Sequence, residues 1–153
     1  MNVAERLAAV RERIERACDA ADRDPATLTL VAVSKFHSVD DVREAIDAGQ
    51  TVFGENYVQD LSDKASRVQG AHWHFIGHLQ RNKVKAVLAA RATIETVDSL
   101  RLLGEIDKRA EEPVSVLLQV NVARETSKSG CSVEDLPAMV AAAHTAAPAE
   151  VTA

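Results

Sequence analysis

The chain has 153 residues, of which 46% are hydrophobic and 27% charged, with a formal net charge of −5 at pH 7. This size fits one domain with a sizeable core, and the composition excludes disordered and collagen-like chains. The acidic net charge argues against nucleic-acid binding, and the sequence has no apolar run of roughly 18 residues that would span a membrane. The two cysteines, Cys18 and Cys131, make no disulfide framework. We therefore expect a cytoplasmic protein.

Helical and strand patterns alternate along the whole chain. The predicted helices cover residues 3–21, 39–48, 57–68, 82–90, 100–110 and 133–147, and the predicted strands cover residues 28–34, 51–53, 73–76, 93–97 and 114–120, with 151–153 as the start of a sixth. Capping boxes mark two helix starts, Asn2 with Glu5 and Ser38 with Asp41, and Ser132 is expected to cap the last helix. The alternation predicts an α/β domain over residues 1–153, built from parallel βα units with right-handed crossovers.

Two architectures share this alternation. One is a (β/α)₈ barrel, which typically needs about 250 residues. The other is an open five-stranded doubly wound sheet, for which 153 residues is a comfortable length. Length alone favours the open sheet, while the repeat pattern is compatible with both.

In both architectures ligands bind at the carboxyl ends of the strands. Lys35 directly follows the apolar run 28–34, where desolvation would favour the neutral amine that attacks an aldehyde to form a Schiff base. A strand-end lysine that extends into solvent has the same sequence signature, and spacing alone favours this alternative. The other predicted strands also end in polar residues, namely Asn56, His78, Gln80, Asp98, Asn121 and Ser129.

The histidines His72, His74 and His78 form an H-x-H-x₃-H pattern, a spacing that could supply metal ligands. His72 and His74 would share one face of a strand, but no carboxylate-rich loop accompanies them, so we expect no metal. The chain also lacks the glycine-rich motifs of dinucleotide and P-loop sites.

Several uncommon strings occur in a fixed order, namely VAVSKFHS, FGENYVQD, WHFIGHLQRNKVK, VDSL and LLQVN followed by SKSG. Over residues 28–130 the chain thereby resembles the pyridoxal phosphate homeostasis family, which is similar to the N-terminal barrel domain of alanine racemase. The resemblance implies a barrel that binds pyridoxal 5′-phosphate as a Schiff base on Lys35. It also implies that Asn56 lies beside the cofactor ring and that His78 and Gln80 line the mouth of the site.

The function implied by the resemblance is that of a non-catalytic carrier, which holds the reactive aldehyde and passes it to apo-enzymes. An amino-acid racemase is the alternative, but it needs an acid or base on each face of the ring. Alanine racemase takes its second base, a tyrosine, from an added domain and a partner subunit, whereas Tyr57 is the only tyrosine here. We therefore favour the carrier over the enzyme.

The resemblance also implies what residues 1–153 do not contain. Family members continue through three further βα units, which carry a serine, glycine and threonine cradle for the phosphate and an arginine facing the pyridine nitrogen. We therefore expect an incomplete barrel whose open edge strands favour self-association, and little contribution of the phosphate to binding. A third alternative is a fragment without activity.

Overall fold

A computed structural model describes residues 2–145 and 149–151, which form one parallel sheet with helices packed against it. The strands are β1 (Ala32–Val33), β2 (Val52–Glu55), β3 (His72–Phe75), β4 (Thr93–Val97), β5 (Val114–Leu118) and β6 (Ala149–Val151). The helices are α1 (Val3–Ala20), α2 (Val39–Asp47), α3 (Val58–Arg67), α4 (Val84–Ala89), α5 (Leu100–Arg109) and α6 (Leu136–Thr145), with short 3₁₀ turns at Pro25–Thr27 and Arg81–Lys83.

The strand order follows the chain, β1-β2-β3-β4-β5-β6, and every neighbouring pair is parallel. A doubly wound sheet reverses its order at a switch point, so the doubly wound alternative is wrong. The sequential order is that of a (β/α)₈ barrel. Within the described residues β1 and β6 are not paired with each other, which confirms the prediction of an incomplete barrel.

The core lies between the sheet and the helices. Alternate strand residues point to the helix side, where Phe53, Phe75, Ile94 and Val116 are fully buried. The helices complete this core with apolar side chains that include Leu61, Val87, Ile106 and Met139. On the opposite face of the sheet Val33 and Leu117 remain partly exposed, so the helix side carries most of the hydrophobic stabilisation.

Local signals located the first two helices and one strand correctly. Both capping boxes are present, at Asn2 and at Ser38, and β4 has the predicted bounds. The last helix begins later than predicted, at Leu136, although the Ser132 hydroxyl accepts the Asp135 N–H at 3.0 Å as the predicted cap would.

The outer strands differ from their predicted lengths. The first strand contains only Ala32–Val33, because β1 has a ladder on one side only and pairs with β2 over two residues. The sixth strand, Ala149–Val151, begins before the predicted residue 151, and residues 152 and 153 lie outside the described part of the chain. No helix among the described residues is both long and apolar enough to span a bilayer.

Candidate functional site

Lys35 lies in a tight turn at the carboxyl end of β1. The Ser34 carbonyl accepts the His37 N–H at 3.0 Å, which closes a turn with Lys35 and Phe36 at its two central positions. Phe36 has φ +67°, a left-handed conformation that non-glycine residues seldom adopt. Lys35 is half-buried, and the capping box of α2 begins at Ser38, so the backbone on both sides of Lys35 is held by hydrogen bonds.

A buried polar network lies directly behind this turn. The side chains of Ser34, Glu55 and Lys64 belong to residues that are 5%, 0% and 5% exposed. The Ser34 hydroxyl donates to Glu55 Oε1 at 2.7 Å, and Lys64 Nζ donates both to Glu55 Oε1 at 2.5 Å and to the Ser34 carbonyl at 2.7 Å. The network therefore connects α3 to the carboxyl ends of β1 and β2.

Sequence reasoning did not identify Glu55 or Lys64 as site residues. A signal was available, because Leu61, Lys64 and Val68 follow the helical spacing that places side chains on one face. A lysine on an apolar helix face requires a buried partner. Glu55, at the end of an apolar strand, is that partner.

Asn56 follows Glu55 at the carboxyl end of β2, as predicted, and is half-buried. Its Oδ1 is buried and accepts no hydrogen bond from the described residues. The backbone of Asn56 also lies against Gly77, because a Cβ built at residue 77 would be 2.0 Å from the Asn56 carbonyl oxygen. The ends of β2 and β3 are thus in close contact beside an unpaired acceptor, which a hydrogen-bond donor on a ligand would satisfy.

His78 and Gln80 are exposed and lie beyond the carboxyl end of β3. His78 Nδ1 is 3.6 Å from Asp98 Oδ2 and 3.4 Å from Ser129 Oγ, so three consecutive strand ends meet at this imidazole. A cavity of about 390 Å³ opens here between residues that include Ile76, His78, Thr96 and Asn121. Two larger cavities, of about 590 and 550 Å³, lie near the amino ends of β3 to β5, on the side where barrels of this type do not bind ligands.

The other two histidines of the H-x-H-x₃-H pattern, His72 and His74, lie within β3, and both cysteines are buried. His74 Nδ1 is 2.6 Å from Glu95 Oε1, while His72 is exposed at the start of β3. Among the described residues no three histidine, cysteine or acidic side chains are grouped so that they could hold a metal ion. Burial, together with the nearby Asp135 carboxylate, raises the pKa of the Cys131 thiol and so disfavours a reactive thiolate.

Comparison with known proteins covers nearly the whole chain. The family model described as "Alanine racemase, N-terminal domain" matches residues 6–153. The chain is 43% identical over 145 residues to the pyridoxal phosphate homeostasis protein of Pseudomonas aeruginosa, and 42% identical over 149 residues to that of Escherichia coli K12. Each alignment covers 92% of this chain, and the chain spans 63% and 64% of the length of these two relatives.

Two solved structures are similar in fold as well as in sequence. An unknown protein from Bifidobacterium adolescentis superposes with a TM-score of 0.87 at 33% identity, covering 97% of this chain and 66% of that one. PipY of Synechococcus elongatus with pyridoxal phosphate bound gives a TM-score of 0.81 at 30% identity, covering 99% and 71%. These matches confirm the resemblance that the sequence strings indicated.

Proposed function

The chain belongs to the alanine racemase N-terminal domain family, and on this premise we propose that it binds pyridoxal 5′-phosphate through Lys35 and serves pyridoxal phosphate homeostasis. The relatives from P. aeruginosa and E. coli are named pyridoxal phosphate homeostasis proteins, and PipY has been solved with the cofactor. The observation that carries the proposal is the placement of Lys35, half-buried in a held turn at the carboxyl edge of a barrel-type sheet.

The side chains at this edge fit such a cofactor. The Lys35 amine would add to the aldehyde carbon, and loss of water would leave a C=N bond, a Schiff base that hydrolysis reverses. Asn56 would offer its unpaired Oδ1 to a donor beside the ring, and the exposed His78 and Gln80 would line the mouth. The bound cofactor supplies an electrophilic aldehyde, and the chain supplies the amine and its orientation.

We propose a carrier and not an enzyme. Racemisation needs an acid or base on each face of the ring. The only tyrosine of the chain, Tyr57, is 52% exposed, and its ring contacts that of Phe36 at a centroid distance of 5.9 Å. A carrier needs only a reversible bond on Lys35 and an open path for transfer to apo-enzymes.

Trapping the adduct tests this proposal. The protein is mixed with pyridoxal 5′-phosphate, reduced with borohydride, digested and analysed by mass spectrometry. We expect one added cofactor on Lys35, no visible-absorbance band in Lys35→Ala, and no rescue by Lys35→Arg, because a guanidinium stays charged. Lys83→Ala, which removes an exposed lysine next to β3, is the matched control and should behave as the wild type.

Two results would contradict the proposal. The first is a reduced adduct that maps to Lys83 or Lys128 in place of Lys35. The second concerns the carrier role, because exchange of the alanine α-hydrogen in heavy water, dependent on Lys35, would favour a racemase-like enzyme.

A further inference from the structure

We infer that Lys64 is a positioning residue that holds Lys35 in the orientation needed to capture an aldehyde. This inference rests on the proposed function, because it gives Lys64 a role at the same site. Lys64 lies on α3 and does not share an element with Lys35. Its ammonium nevertheless contacts the peptide group that joins Ser34 to Lys35, at 2.7 Å from the Ser34 carbonyl oxygen.

That carbonyl is the closing acceptor of the Lys35 turn. It accepts the His37 N–H at 3.0 Å as well as the Lys64 ammonium, so both hydrogen bonds fix the plane of the same peptide. The orientation of this peptide determines the direction in which the Lys35 side chain leaves the strand. Lys64 therefore acts on Lys35 through one intervening backbone group.

The turn needs such support because its backbone is strained. Phe36 has φ +67°, and non-glycine residues keep this conformation only where the surrounding structure enforces it. The contact of the Phe36 ring with Tyr57 provides part of this support, although Phe36 is 80% exposed. The buried hydrogen bond from Lys64 is the support on the core side of the turn.

Stability alone does not account for the network. Burying Glu55 and Lys64 requires both charges to lose their hydration, and buried ion pairs often contribute no more than apolar residues of the same volume would. Glu55 Oε2 is also buried without a hydrogen-bond partner among the described residues. The network therefore contributes less to stability than a fully paired one would, but its hydrogen bond to the Ser34 carbonyl fixes the peptide next to Lys35. A positioning role requires such a hydrogen bond.

The deciding variant removes both buried charges. Glu55→Gln combined with Lys64→Met keeps an acceptor for the Ser34 hydroxyl and leaves no unpaired charge. We expect this double variant to fold, while the rate of borohydride-trapped capture of pyridoxal 5′-phosphate at Lys35 falls by about tenfold or more, as misplacement of a reacting group predicts. We also expect a larger share of the adduct on exposed lysines such as Lys83.

The same helix offers a matched control. Asp63 and Arg67 form an exposed ion pair on α3 at 2.9 Å, with side chains that are 57% and 55% exposed. Asp63→Asn combined with Arg67→Met also removes one negative and one positive charge, here both from α3, without touching the Lys35 turn. Capture by this variant should stay within about twofold of the wild type, because exposed pairs contribute little.

A rescue separates positioning from general loosening. Glycine adopts a left-handed backbone without strain, so adding Phe36→Gly to the double variant should restore part of the capture rate and of the selectivity for Lys35. A purely structural role of Lys64 predicts no such recovery. If the double variant does not fold, Lys64→Arg tests the positioning role instead. It keeps a buried positive charge but changes the geometry of the hydrogen bond to the Ser34 carbonyl, so the capture rate at Lys35 should again fall about tenfold.

The outcomes distinguish this inference from the proposed function. Wild-type trapping at Lys35 with unchanged rate and selectivity in the folded variants would overturn the role of Lys64 and leave the proposed function intact. Absence of trapping at Lys35 in the wild type would overturn both. Slower, less selective capture with rescue by Phe36→Gly would support the positioning role.

Discussion

Replacing Gly77 by alanine would place a methyl group where the ends of β2 and β3 touch. A Cβ built at residue 77 lies 2.0 Å from the carbonyl oxygen of Asn56, 2.8 Å from its carbonyl carbon and 2.9 Å from its Cα. Contacts of a Cβ below 3.0 Å are essentially absent from real structures, so the two backbones would have to separate by about 1 Å. All three atoms belong to the backbone, and no flexible side chain can yield instead.

Overpacking of this kind typically costs about 1–3 kcal/mol. For a chain of this length each kcal/mol lowers Tm by roughly 2–4 °C, so we expect Gly77→Ala to lower Tm by about 2–12 °C. Gly104→Ala is the control, because Gly104 lies within α5 and a Cβ there meets nothing within 4 Å. Alanine favours a helix over glycine by about 0.5–1 kcal/mol, so this variant should raise Tm by about 1–4 °C.

Thermal unfolding followed by circular dichroism measures both shifts, and titration with pyridoxal 5′-phosphate follows the site. Because the displaced backbone belongs to Asn56, we expect Gly77→Ala to bind the cofactor more weakly even well below its Tm. A Gly77→Ala protein with wild-type Tm and wild-type affinity would refute the close contact between the two strand ends. Equal destabilisation by Gly104→Ala would show that the shift reflects loss of glycine as such.

Two further predictions concern neighbouring groups. Asn56→Ala should weaken cofactor binding by about 0.5–1.5 kcal/mol in a titration. It should not lower Tm, because Asn56 Oδ1 has no hydrogen-bond partner among the described residues. A fall in Tm of more than about 5 °C with unchanged affinity would indicate a structural role instead. The backbone N–H and hydroxyl of Ser38 lower the pKa of Asp41, so the free energy of unfolding should include a favourable contribution above the unfolded-state pKa that is lost as the pH falls through the lower folded value. Urea unfolding between pH 2 and about 6 should show this loss in the wild type and a shallower pH dependence in Asp41→Asn.

Features that depend on a few neighbouring residues were predictable from the sequence. The capping boxes at Asn2 and Ser38 close hydrogen bonds over three residues, so their signal is local. The positions of Lys35 and Asn56 near strand ends were predicted in the same way, from polar residues that lie just after apolar runs. The family, and with it the barrel, was recognisable from the order of the conspicuous strings, which composition and periodicity alone could not supply.

Features that depend on how the elements dock came from the structure. The alternation of helices and strands is the same for a barrel and for a doubly wound sheet, and only the sequential pairing of β1 to β6 separates them. The contact of Gly77 with Asn56 joins residues at the ends of two strands. The 2.0 Å distance between a Cβ built at residue 77 and the Asn56 carbonyl oxygen follows from the packing of these strands and from no local sequence pattern. In the sequence, Lys64 is a lysine on an apolar helix face with no visible partner. Packing of α3 on the sheet brings its ammonium to Glu55 and to the Ser34 carbonyl. The partners of a buried charge are set by this tertiary packing and not by spacing along the chain.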